Sequence, residues 1–277
     1  MPSPLTHPAV ATLLNWVEGY GRFTSFCLTT ARWLVEDIFI PKRWRLVFVQ
    51  MYEVGTRSIP IIMLTGSFIG MVLAVELFEQ FRNFGQETRL GGVIGLSVVR
   101  HLGPVLAAIM LAGRVGGAFA AELGTMNVTE QIDALRVMGA APIRYLVVPR
   151  LLACIIMIPI MTLFSDLMGV YGGWLIIVRV YDVTAADYWS NSASFIVTWD
   201  IVSGLIKSLF FGISIGLICC YKGFNCRPGA QGVGQATTDA FVTSFVAIIV
   251  LNFFLAKLTK DLYFLIWGYG DQVSPFG

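Results

Sequence analysis

The sequence predicts an all-α integral membrane protein: an N-terminal interfacial amphipathic helix followed by about five transmembrane helices. Three observations point there. Of 277 residues, 56% are hydrophobic and 13% charged, the latter about half of the roughly one quarter usual in soluble domains. Mean hydropathy is +0.75, and the apolar residues gather into windows close to the ~20 residues that cross ~30 Å of hydrocarbon. Finally, 28 glycines and 13% aromatics suit membrane helices that approach one another closely and anchor Trp and Tyr at headgroup depth. A soluble enzyme is excluded. The formal net charge of +2 gives no basis for binding nucleic acid.

At the start of the chain, Glu18, Arg22 and Arg32 interrupt every apolar run, so no signal-peptide core is legible. Between Leu13 and Cys27 the residues Leu13, Trp16, Val17, Tyr20, Phe23 and Cys27 recur at helical spacing, with Asn15, Glu18, Arg22 and Ser25 mostly between them. Such a helix lies in the membrane interface, or packs on protein. Pro41 then breaks the pattern, and Lys42-Arg43-Trp44-Arg45 is a basic, aromatic membrane edge.

The apolar windows follow at Ile59 to Phe78, Val93 to Gly113, Leu151 to Val178, Ile201 to Tyr221 and Ala240 to Ala256. Basic residues concentrate on one set of connections: Arg22, Arg32, Lys42, Arg43 and Arg45 before the first window, Arg136, Arg144 and Arg150 between the second and third, and Lys222 and Arg227 between the fourth and fifth. These segments are expected to be cytoplasmic, which puts the N-terminus inside and the C-terminus outside. Glycine pairs spaced G-x-x-x-G stand at Gly66/Gly70, Gly91/Gly95, Gly113/Gly117, Gly169/Gly173 and Gly212/Gly216. They predict tightly packed helices, including a subunit interface. Cys27, Cys154, Cys219, Cys220 and Cys226 form no C-x-x-C pair, and neither a disulfide framework nor a metal site is expected.

The connection from Arg114 to Arg150 is the most informative. Asn127 followed by Glu130 has capping-box spacing, Glu130 and Asp133 favour a helix start, Arg136 a helix end, and Gly139 then Pro142 a stop. A short helix from Val128 to Met138 is expected, too short to span the membrane. Val128, Ile132, Leu135 and Met138 form its apolar stripe, which covers the ends of this protein's own helices or docks into a partner's groove.

The run LGPVLAAIMLAGRVGGAFAAELGTMNVTEQIDALRVMG, with GSFIGMVLAVE before it and Pro149-Arg150 after it, resembles the MlaE family of ABC-transporter permeases. The likeness covers roughly Arg45 to Ala256. It implies residues 46–277 as a permease domain with a coupling helix at 128–138, preceded by an N-terminal interfacial helical segment, residues 1–45. It implies a homodimer in the bacterial inner membrane, multi-pass, bound to two ABC ATPase subunits that hold the ATP and Mg, with no cofactor in this chain. A periplasmic Mce-domain lipid-binding protein and a STAS-domain protein are further implied partners. Its cargo would be phospholipid moving between inner and outer membranes, in support of outer-membrane lipid asymmetry. Glu122, Gly124, Val128, Ile132 and Leu135 would couple to the ATPase. Independently, no G-x-x-x-x-G-K-[ST] occurs, so energy for pumping must come from a partner, and a two-fold dimer would supply enough helices to enclose a lipid.

Charged residues in or at the end of apolar windows are functional candidates by default. They are Glu76 and Glu79 near the outer end of the first, Arg100 and His101 in the second, Asp166 in the third and Lys207 in the fourth. Arg100 could hold a lipid phosphate in bidentate fashion, or form an ion pair, with Glu76 for instance. Family members commonly carry an acidic residue where this chain has His101, which removes one local partner for Arg100. Leu73, Leu77, Phe81 and Phe84 recur along one face of the outer half of the first membrane helix; the family resemblance implies that they, with Arg100, line the phospholipid path.

Two other classes are weighed. Tyr181-Asp182 and Gly268-Tyr269-Gly270-Asp271 reproduce the Y-D and G-x-G-D pairs of presenilin-like proteases, but that chemistry needs both carboxylates facing each other within the bilayer, and these lie in a polar loop and a terminal tail. An ATP-independent lipid carrier or scramblase would use the same cavity but gives the short helix no reason for a free apolar stripe.

Overall fold

The computed structural model describes residues 8–38 and 43–267, helical throughout their regular elements, with no strand among them. Helix α1 is Pro8–Ile38. Five long apolar helices follow: α2 Trp44–Asn83, α3 Glu87–Val128, α5 Ile143–Arg179, α7 Thr198–Phe224 and α8 Ala230–Trp267. The short α4, Gln131–Val137, joins α3 to α5, and α6, Ala185–Phe195, joins α5 to α7. Each long helix contains its apolar window and continues beyond it, because a backbone leaving hydrocarbon keeps its internal hydrogen bonds until water can replace them. Pro41, Lys42 and the Gly268-to-Asp271 run lie outside the described residues.

The spans alternate in direction. One end of the bundle therefore carries α1, α4 and the basic residues Arg43, Arg136, Arg144 and Arg150, here called the basic end. Val54, Ile62, Leu111, Phe119, Ile158, Phe211 and Ile248, from all five long helices, share one core.

Small residues set the helix spacing. A Cβ on Gly70 would lie 1.7 Å from the Gly169 carbonyl oxygen, and one on Gly172 2.2 Å from that of Ser67, so α2 and α5 meet backbone to backbone. Gly212 and Gly216 let α7 approach Cys154 and Leu151 of α5, Gly91 and Gly95 receive α6 through Tyr188 and Ile196, and Gly113 and Gly117 face Phe241 and Thr237 of α8. Every G-x-x-x-G pair is thus engaged within the chain. The tight packing expected of these glycines is met within one copy.

Four wide, π-type turns interrupt the spans, at Tyr52–Thr56, Val98–Leu102, Ala112–Gly116 and Ile143–Val147. Such turns leave backbone carbonyls short of donors, and at the first two a side chain from another helix supplies one. Arg114 of α3 donates to Ser58 Oγ and, at 3.4 Å, to the Glu53 carbonyl beside the first of these turns.

The short helix differs from expectation at its start. Asn127 and Val128 finish α3 rather than capping α4, and the chain turns through Glu130 at φ 58° before α4 begins at Gln131. Asn127 lies inside α3, where its Nδ2 donates to the Cys226 carbonyl at 3.5 Å, and Glu130 takes the N-cap position with no side-chain cap hydrogen bond. The stop is as read: Gly139 takes φ 74°, Gly139 N–H donates to Arg136 O and Ala140 N–H to Leu135 O, both at 3.0 Å, a Schellman closure that favours glycine.

Helix α1 packs on the bundle through one face. Phe23 and Phe26 meet Tyr221 edge-on at 5.1 and 5.5 Å, and Thr30 is buried. Tyr20, Leu28 and Val35 remain exposed on its outer side. The interfacial helix of the sequence reading therefore touches protein on one face while presenting apolar side chains on another.

Candidate functional site

Three of the intramembrane charges, Arg100, His101 and Lys207, meet on one seam between α3 and α7. Pro104 has no N–H, so the Arg100 carbonyl loses its helical donor. Lys207 of α7, fully buried, donates from Nζ to that oxygen at 2.8 Å, and the same Nζ lies 3.4 Å from His101 Nδ1. Two carbonyls earlier, Val98 accepts the Gly103 N–H, and between them Val99 is met by Gly204, where a Cβ would lie 2.8 Å from the Val99 oxygen.

Arg100 does not reach Glu76. Its Nε lies 3.0 Å from Asp200 Oδ1, with Arg100 41% exposed and Asp200 buried. Asp200 Oδ2 accepts the Val197 N–H at 3.1 Å, so this carboxylate both caps the positive start of α7 and pairs with Arg100. Asp200 was missed as a site residue in the sequence. Its only local signal was an acid three residues past a helix start. Asp166 of α5 packs against Gly103, buried, and its Oδ1 has no hydrogen-bond partner among the described residues. Glu76 and Glu79 stand exposed on the outer half of α2, on the same side as Phe68, Val72 and Val75.

The four apolar candidates on α2 divide. Leu73, Leu77 and Phe81 are half-buried, packed on a cluster formed by Ala74, Phe78, Ile94, Ile177 and Tyr188, whereas Phe84 is 80% exposed beyond the helix end. The protease alternative gains no geometry: Asp182 sits exposed in the turn after α5 at φ 56°, and Asp271 lies outside the described residues.

At the basic end, Glu122 pairs with Arg150 of α5 at 2.8 Å, and Arg150 also lies over the Phe119 ring. Gly124 packs against Cys226 and Val233, whose atoms a Cβ would meet at 3.3 and 3.4 Å. Val128 and Leu135 are half-buried, and Ile132 is 1% exposed. The stripe of α4 is thus taken up largely by its own bundle. What α4 leaves open is its tip, where Val137 is 89% and Met138 72% exposed. Val137 lies off the apolar stripe of Val128, Ile132 and Leu135, so helical spacing gave it no signal in the sequence.

The family described as Permease MlaE matches residues 47–258. The chain is 46% identical over 209 residues to a probable ABC transporter permease protein of Synechocystis sp., covering 76% of this chain and 80% of the relative. It is 37% identical over 222 residues to the intermembrane phospholipid transport system permease protein MlaE of Haemophilus influenzae, covering 79% and 84%. The chloroplastic protein TRIGALACTOSYLDIACYLGLYCEROL 1 of Arabidopsis thaliana is 39% identical over 231 residues, 83% of this chain and 64% of the relative.

Proposed function

The chain belongs to the permease MlaE family and is a multi-pass membrane protein, and from that premise we propose that it is the membrane subunit of an ABC transporter carrying phospholipid between the inner and outer membranes of a bacterial envelope. The basic end would face the cytoplasm by the charge rule. A separate ATPase would hold ATP and Mg and dock on the exposed tip of α4. An Mce-domain protein would receive lipid at the opposite end, and a STAS-domain protein would accompany the ATPase.

The observation that carries this reading is the exposed face of α2. Leu64, Phe68, Val72 and Val75 share it with Glu76 and Glu79, all open to the surroundings of a single copy. Carboxylates facing hydrocarbon cost several kcal/mol. A face that is apolar along its length and acidic toward one end suits a cavity between two copies, with room for acyl chains beside a hydrated headgroup. Arg100, half-exposed and paired with Asp200 through Nε, is a cation suited to a phosphate.

The test is reconstitution. The chain co-expressed with its ATPase in proteoliposomes should move a fluorescent phospholipid to acceptor vesicles only when ATP is hydrolysed, as a species holding two copies. Transfer that proceeds equally without ATP, with no ATPase retained on purification, would make the protein an ATP-independent carrier or scramblase instead.

A further inference from the structure

Helix α1 lies outside the five spans, yet near its end it carries a carboxylate that is 4% exposed, Asp37. Arg144 donates to Asp37 Oδ1 from Nε at 2.9 Å and from Nη2 at 2.7 Å, and Arg43 Nη1 donates to Oδ2. Each guanidinium also rests on a ring: Arg144 lies 4.3 Å from the centroid of Trp33 on α1, and Arg43 lies 5.3 Å from that of Tyr145. Three segments thus meet on one carboxylate: the end of α1, the start of α2 and the π turn Ile143–Val147 that opens α5. That turn follows directly on the loop leaving α4. Elsewhere an open groove runs between Glu18, Arg22 and Ser25 of α1 and Arg136 and Pro142 on the α4 side. Besides Asp37, α1 meets the bundle through Phe23 and Phe26 against Tyr221 and Phe224, and through Trp33 and Leu34 against Val47, Val148 and Leu152.

A buried ion pair is rarely the most stabilising way to fill such a place, but its bidentate geometry fixes one relative orientation of the parts it joins. We propose that Asp37 is a positioning residue that binds α1 to the loop beyond α4, so that the N-terminal helix moves with the unit an ATPase displaces. This rests on the transporter reading above. Displacement of α4 then reaches the membrane by two routes, through α5 directly and through α1, whose exposed Tyr20, Leu28 and Val35 lie along its outer side.

The test uses Asp37→Asn, Asp37→Glu and Arg144→Lys in the full chain, alone in nanodiscs and with the ATPase in proteoliposomes. In nanodiscs, Asp37→Asn should raise hydrogen exchange in residues 139–147 together with residues 29–37. In proteoliposomes it should leave ATPase binding and ATP hydrolysis intact while phospholipid moved per ATP falls about ten-fold. Asp37→Glu should restore most of the ratio, and Arg144→Lys, which loses the fork, should resemble Asp37→Asn. Unchanged exchange at 139–147, or hydrolysis and transfer falling in proportion, would overturn the positioning role. If the unmodified chain retains no ATPase at all, it is the transporter reading that fails, and hydrogen exchange alone decides whether Asp37 binds α1 to the loop.

Discussion

Lys207 Nζ lies 2.8 Å from the carbonyl oxygen of Arg100, the acceptor that Pro104 deprives of its helical N–H. In hydrocarbon such an oxygen cannot be handed to water, so a neighbouring helix has to supply the donor. Helix α7 does so with Lys207, and at another height its Asp200 carboxylate accepts the Arg100 side chain at 3.0 Å. Backbone and side chain of one residue are thereby tied to the same partner helix.

Replacing Lys207 with Met should leave that carbonyl without a donor, at a cost of about 1–3 kcal/mol. Adding Pro104→Ala restores an N–H four residues along, so the double variant should recover about 1 kcal/mol relative to the sum of the single changes. Thermal unfolding in detergent measures the cycle. Strict additivity would show that Lys207 does not serve as this cap.

Gly70 has no room for a side chain, since its Cβ would lie 1.7 Å from the Gly169 oxygen, whereas Gly234 of α8 has nothing within 4 Å. Gly70→Ala should therefore destabilise each single copy by about 1–3 kcal/mol, and Gly234→Ala should be neutral or stabilising by up to ~1 kcal/mol. Size-exclusion profiles after stepwise heating compare them. A Gly70→Ala protein as stable as the parent would contradict the α2–α5 seam.

On α4, burial separates folding from docking. Ile132→Asp puts a charge at a 1% exposed position and should cost ~3 kcal/mol or more, seen as lost yield of folded protein. Val137→Asp and Met138→Asp, at exposed positions, should leave the thermal midpoint nearly unchanged, within about 0.5 kcal/mol, and weaken ATPase co-purification. Wild-type co-purification in both tip variants would move the docking surface elsewhere.

Lipid contact should follow exposure along α2. A photo-crosslinking residue at Phe84 or Val72 should capture phospholipid more strongly than one at Leu73, which is half-buried against its own chain. Arg100→Ala should reduce phospholipid transfer sharply, and Arg100→Lys should recover charge without the guanidinium's planar fork. Should Arg100→Ala lower ATPase assembly and leave lipid capture intact, the Arg100–Asp200 pair is purely structural.

The features legible in the sequence are those decided within a few turns of one helix. The five spans could be read because hydrocarbon demands an apolar stretch of given length, and the end of α4 because Gly139 is suited to the positive φ its closure requires. The glycine pairs announced close approach without naming the partner. Pairings between helices were decided only by the tertiary structure. Glu76 and Asp200 were equally available to Arg100 by charge, and the azimuths of α2 and α7 around α3 chose Asp200. Asn127 and Glu130 had the spacing of a capping box, but Asn127 finishes α3 beside Cys226 and the next helix starts only at Gln131. Local propensity is a matter of tenths of a kcal/mol per residue, so where a buried polar group must find a partner in a medium without water, the contact between distant segments decides.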